Sequence, residues 1–100
     1  MSRVMLERDV KIINKLGLHV RAATKLVQLT TDFDADVTIG FNGQTADGKS
    51  IMEVLMLAAI VGSVVIVNVS GPDPDEEKIV LEKIVNLFEG YFEEKNFFGN

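Results

Sequence analysis

The chain has 100 residues, 47% of them hydrophobic and 25% charged, with a formal net charge of −5, one histidine and no cysteine. That length suits a single domain with a real core and a modest stability margin. The lack of cysteine excludes disulfides, thiolate zinc sites, iron–sulfur clusters and a cysteine nucleophile, and the acidic balance argues against a nucleic-acid binder.

The opening "MSRVMLERDV" carries charges every few residues and lacks the apolar core of a secretory signal. No segment reaches the ~20 apolar residues of a membrane span. A cytoplasmic protein without membrane insertion is expected. The first element, roughly residues 4–14, reads as a strand with Val10 and Ile12 on one side. Lys15 to Leu18 turns the chain, with Gly17 as its flexible point. A helix follows over about residues 20–33, where Ala22, Leu26, Leu29 and Phe33 form an apolar stripe widened by Ala23 and Val27. "ADVTIGF" then alternates, with Ala35, Val37, Ile39 and Phe41 on one face. Asn42-Gly43 predicts a tight hairpin into a short strand at about residues 44–46.

Ser50 is placed to cap a short second helix, and Glu53 to complete a capping box. Ile51, Val54, Leu55 and Ala58 follow helical spacing, and Gly62 ends the stretch. "SVVIVNV" is β-branched and apolar, the strongest strand in the chain and the one expected at the sheet centre. In "GPDPDEEK", Asp73 is a good N-cap, Pro74 suits the first helical position and Glu76 is expected to complete a second capping box. Leu81, Ile84, Val85 and Phe88 form the stripe of a third helix that stops near Gly90. The order β-α-β-β-α-β-α predicts an α+β fold, a four-stranded antiparallel sheet with three helices on one face. Periodicity leaves the strand order open. Residues 1–90 form the expected domain and residues 91–100 an aromatic C-terminal extension, too aromatic for a comfortable free tail and suited to packing on the domain or on another subunit.

The single histidine, His19, admits several roles. It can be a packed or surface side chain. As a metal ligand it would find only carboxylates for partners, and none clusters nearby in sequence. As a triad base it lacks a specified nucleophile and orienting acid. Its position favours a fourth role. It sits at the N-terminal edge of the first helix, where unpaired N–H groups and the helix dipole favour an anion. Arg21 can offer several donors to a phosphate, and a neutral imidazole is a competent nucleophile.

Two motifs, "GLHVRAATKLV" and "GKSIMEVLML", at their observed separation and followed by "GPDPDEEK", make roughly residues 5–89 resemble HPr. HPr is the histidine-containing phosphocarrier family of the phosphoenolpyruvate-dependent sugar phosphotransferase system. The resemblance implies an open-faced β-sandwich. It implies a phosphoryl group carried on Nδ1 of His19 and stabilised by Arg21, with Enzyme I as donor and a IIA component of a sugar permease as acceptor. No cofactor or metal is implied, and the carrier is not itself an enzyme. It further implies regulatory phosphorylation of Ser50 by an ATP-dependent HPr kinase/phosphorylase, a role compatible with capping.

Val20, Thr24, Ile51, Met52 and Leu55 are expected to form a partner-binding patch, although Ile51, Met52 and Leu55 equally suit the core. Lys25 and Lys49 either rim that patch or are ordinary solvated charges. HPr proteins usually carry proline after the arginine, whereas this chain has Ala22. Alanine still favours the helix, so the expected change is in loop rigidity and transfer kinetics. The alternative function is a regulatory interaction module, acting through phospho-Ser50 and the adjacent helix on a transcriptional regulator, without sugar transport. A monomer is expected.

Overall fold

The computed structural model describes residues 4–94. The elements run β1 (Val4–Lys11), α1 (Val20–Thr30), β2 (Asp36–Phe41), β3 (Gln44–Asp47), α2 (Ile51–Met56), β4 (Val64–Gly71) and α3 (Pro74–Glu89), then a 3₁₀ turn over Tyr91–Glu93. Residues 95–100 of the predicted extension lie outside the described residues.

The four strands form one antiparallel sheet in the order β1-β4-β2-β3. The last strand to be made therefore lies between the first two, with Val67 opposite both Arg8 and Ile39. The β-branched run of β4 explains its place, because a central strand must pack side chains against two neighbours. Alternation sets the faces. Val65, Val67 and Val69 are buried with Val10, Val37 and Ile39, while Val64 and Ile66 on the other face are exposed. The three helices cover the buried face, with α3 packed over β1 and β4 and α1 against both other helices. The sheet is thus open to solvent on one side, as expected.

The hairpin between β2 and β3 is the one predicted. Asn42 and Gly43 have φ of 54° and 80°, the left-handed pair that a two-residue type I′ connection requires. On α3, Val80 and Glu77 join the predicted stripe of Leu81, Ile84, Val85 and Phe88 in the interior.

Several boundaries differ from the sequence expectations. Helix α1 ends at Thr30 rather than Phe33. The Thr30 hydroxyl donates to the Gly48 carbonyl at 2.7 Å, and the Thr31-Asp32 pair that follows has weak helix propensity. Strand β1 ends at Lys11, because beyond it Ile12 pairs with the 62–63 loop instead. Helix α2 stops at Met56, and Ala58 lies outside it with φ of 53°. Both capping boxes are rearranged. Ser50 Oγ accepts from Glu53 N–H at 3.2 Å as predicted, but the Glu53 carboxylate accepts from Asp47 N–H at 2.9 Å. Asp73 caps α3, yet it is Glu77, not Glu76, whose carboxylate accepts from Asp73 N–H, at 2.8 Å. Gly90 ends α3 as expected, but with φ of −86°. The left-handed turn falls one residue later, on Tyr91, Phe92 and Glu93.

Candidate functional site

The segment that carries His19 is pinned from both sides. Leu18 N–H donates to the Ala59 carbonyl at 3.0 Å, and Gly62 N–H to the Ile12 carbonyl at 2.7 Å. Gly17 has φ of +68°, and a Cβ there would sit 2.7 Å from the Ala59 oxygen. Only glycine fits this turn without moving the neighbouring loop. Asn14, fully buried, closes the turn by donating its Nδ2 to the Gly17 carbonyl at 2.8 Å.

His19 is the N-cap of α1. Its backbone is extended, its carbonyl accepts from Ala23 N–H at 2.9 Å, and its ring takes the place a serine or aspartate side chain usually fills. Nδ1 accepts from Arg21 N–H at 3.3 Å. An atom that accepts a proton cannot carry one, so Nδ1 presents its lone pair to the helix N-terminus. The first-turn N–H groups point the same way and have no helical carbonyl within reach. The Arg21 side chain is exposed and makes no ion pair among the described residues. Helix α1 begins at Val20 without the usual proline, and Ala22 is fully buried beneath it.

The other ring nitrogen is covered. Nε2 of His19 is buried without a hydrogen-bond partner among the described residues and lies 3.5 Å from Glu94 Oε2. That carboxylate accepts from Asn14 Nδ2 at 3.1 Å and from Leu16 N–H at 3.4 Å. Beside it, Glu93 pairs with Lys25 at 2.9 Å. The chain past α3 therefore returns over the histidine loop as a strap, seated by Phe92, which is buried edge-on against Phe88 with ring centroids 4.6 Å apart.

Burial pushes the Glu94 carboxyl up. The hydrogen bonds from Asn14 and from the Leu16 and Lys15 backbone, together with the attraction of His19, outweigh burial and hold it below 4.5. A carboxyl with a lowered folded value contributes stability that is fully present above its unfolded value and is lost as pH falls through the folded one. The Asn14 side-chain amide signals in NMR are therefore expected to move in one step on the acid side of the usual glutamate range. Glu94→Gln removes that step. A step on the alkaline side of that range would show that Glu94 does not hold the strap.

The predicted patch divides. Val20 and Met52 are strongly exposed and Ile51 partly so, whereas Leu55 is half-buried against the core. Thr24 is half-buried and turns its hydroxyl back to the Val20 carbonyl at 2.7 Å. Neither predicted rim lysine has a free head: Lys25 holds Glu93, and Lys49 donates to the Phe33 carbonyl at 2.7 Å. Ser50 is half-buried at the start of α2, which packs on α1. Sequence reasoning missed the exposed Met56 and, on the loop that binds the histidine segment, Ile60 and Val61. It also missed Asn14 and Glu94. Some 80 residues separate that pair, and no local pattern signals it.

Residues 6–90 match the family model described as the PTS HPr component phosphorylation site. The chain belongs to the HPr family. It is similar to the phosphocarrier protein HPr of Cupriavidus necator, 51% identical over 85 residues that cover 84% of this chain and 96% of that one. Among solved structures it resembles the phosphocarrier HPr of Bacillus anthracis, with a TM-score of 0.77 and 33% identity over 85% of this chain and 98% of that one. It also resembles Crh, the catabolite repression HPr of Bacillus subtilis, with a TM-score of 0.62 and 31% identity over 93% of this chain and all of that one. HPr proteins are phosphocarriers of the phosphotransferase system rather than catalysts, and this chain is one of them. The family match ends at residue 90, so Glu93 and Glu94 lie past it.

Proposed function

We propose that this HPr carries its phosphoryl group on Nδ1 of His19, taking it from Enzyme I charged by phosphoenolpyruvate and passing it to a IIA component of a sugar permease. One observation carries the assignment: Nδ1 faces the N-terminus of α1 with its lone pair, 3.3 Å from Arg21 N–H. In the transfer, the Nδ1 lone pair forms a bond to phosphorus while the donor's bond to phosphorus breaks, and the donor leaves with that electron pair. The Arg21 N–H that Nδ1 releases then turns to a phosphoryl oxygen. The other first-turn N–H groups and the Arg21 guanidinium serve the remaining charge. The exposed Val20, Met52 and Ile51 form the apolar part of the docking surface for both partners.

Incubation with Enzyme I and labelled phosphoenolpyruvate tests this directly. An acid-labile label is expected on the wild-type chain and none on His19→Ala. No label on the wild type would sink the assignment.

A second role is favoured by the likeness to Crh, whose description places it in catabolite repression. Phosphorylation of Ser50, at the capped start of α2, would add about two negative charges where the helix dipole tolerates them. The same surface would then bind a transcriptional regulator and repel an acidic one. A kinase assay with ATP, followed by partner capture with Ser50→Ala as control, separates this role from the relay.

A further inference from the structure

We infer that Glu94 is a positioning residue for His19: its carboxylate holds the ring with the proton on Nε2, leaving Nδ1 as the one nitrogen open to phosphorylation. This rests on the phosphocarrier role proposed for His19.

Two contacts impose the same tautomer independently. Arg21 N–H points at Nδ1, so a proton on Nδ1 would face another donor. Glu94 Oε2 points at Nε2 from 3.5 Å, and an ionised carboxylate only accepts. A lone pair on Nε2 would face negative charge, whereas a proton there faces an acceptor. At 3.5 Å the contact is longer than an ordinary hydrogen bond. Glu94 Oε2 nonetheless lies beside a buried nitrogen that has no hydrogen-bond partner among the described residues.

The carboxylate is held in place by Asn14 and by the Leu16 N–H. Asn14 Nδ2 lies near two acceptors, the Gly17 carbonyl and Glu94 Oε2. Its two protons are used on them, which sets the amide orientation. Asn14 Oδ1 is left buried without a partner among the described residues. Tyr91, Phe92 and Glu93, none of them glycine, all take left-handed φ between 51° and 61°, a conformation that L-residues avoid. Burial of Phe92 offsets that strain, whereas the exposed Glu93–Lys25 pair adds little. The result is one carboxyl oxygen beside one ring nitrogen.

The effect on transfer follows from charge. When Nδ1 bonds to phosphorus with Nε2 still protonated, the ring becomes an imidazolium. A carboxylate at Nε2 stabilises that positive charge as it develops, in a site partly shielded from water. It also covers Nε2, so attack through the wrong nitrogen is blocked.

The test uses the full chain and phosphoramidate, a small donor whose P–N bond breaks with loss of ammonia as the imidazole N–P bond forms. The single histidine makes the ring signals unambiguous. In the wild type, the ¹H–¹⁵N spectrum is expected to show a protected Nε2–H proton, and ³¹P spectra a product phosphorylated on Nδ1 alone. Glu94→Ala is expected to lose the proton signal, form Nε2-phosphohistidine and slow the Nδ1 reaction about tenfold, the scale seen when a carboxylate partner is taken from a ligating histidine. Glu94→Gln keeps an acceptor without the charge, so it should retain the Nδ1 selectivity and lose the rate. Glu93→Gln removes the Lys25 pair but leaves Glu94, and should behave as wild type. A Glu94→Ala chain with wild-type proton signal, selectivity and rate would overturn the role of Glu94 and leave the carrier reading standing. Glu93→Gln matching Glu94→Ala would also overturn it, by assigning the effect to strap docking. No phosphohistidine on the wild type from phosphoramidate or from Enzyme I would overturn both.

Discussion

Phe88→Ala is expected to lower the unfolding free energy by about 3–5 kcal/mol, the usual result of emptying a buried phenylalanine site. Phe88 is fully buried on α3 and forms the seat of the strap through its edge-on contact with Phe92. Against a total stability of about 5–15 kcal/mol for a domain of this kind, the variant should lose a large share of its stability. Its Tm should fall by more than ~12 °C, at roughly 4–8 °C per kcal/mol for so small a domain. Phe92→Ala should cost less, although Phe92 is as deeply buried. The strap that carries it has three left-handed residues, each storing roughly 1–2 kcal/mol. When the strap lets go, that strain is relieved and the remaining core stays closed, so its loss is capped by the free energy of docking. Chemical denaturation of the two variants and hydrogen exchange at residues 91–94 check this. Equal losses would show that the strap unfolds only with the whole domain.

The same contrast marks what could be read from the sequence. Most of the sheet was legible because β2 alternates, β4 is β-branched throughout, and Asn42-Gly43, with few other uses, announces β3. The position of β4 between β1 and β2 was legible only in part: its composition suited the centre, but periodicity carries no information on neighbours. The histidine's place as an N-cap followed from the apolar stripe that begins just after it. The company it keeps did not. Asn14 and Glu94 meet across a closed loop of the whole domain, and Glu94 looks like any solvated acid in "YFEEK". The partners of Lys25 and Lys49 were hidden for a related reason. A long flexible side chain finds its partner only once the fold has chosen the neighbours: Glu93 for the one and the Phe33 carbonyl for the other. The capping boxes were only half legible: Glu53 reaches back past Ser50 to the Asp47 N–H, and at α3 the acid is one residue further on. Which carboxylate folds back depends on the turn before the helix, as Glu77 in place of Glu76 illustrates.

On the proposed role of His19, Arg21→Ala should slow phosphoryl transfer from Enzyme I about a hundredfold while leaving the fold intact. Phosphoryl transfer spreads negative charge over three oxygens and needs positioned donors more than covalent help. Removing one such donor costs about 10²–10³ in rate where water is excluded. Arg21 is exposed, so water replaces part of what it supplies and the lower end of that range applies. Its backbone N–H remains at the helix start, which is why His19 should still become labelled given time. Arg21→Lys keeps the charge but loses the planar fork that matches a phosphate, and should fall between, about tenfold below wild type. Neither change should alter stability by more than about 0.5 kcal/mol, as for other surface positions without a buried partner. Rapid-quench measurement of phosphorylated chain against time distinguishes these from His19→Ala, which should give none at any time. A wild-type rate in Arg21→Ala would leave the helix N-terminus and the Glu94-held ring as the whole of the transfer site.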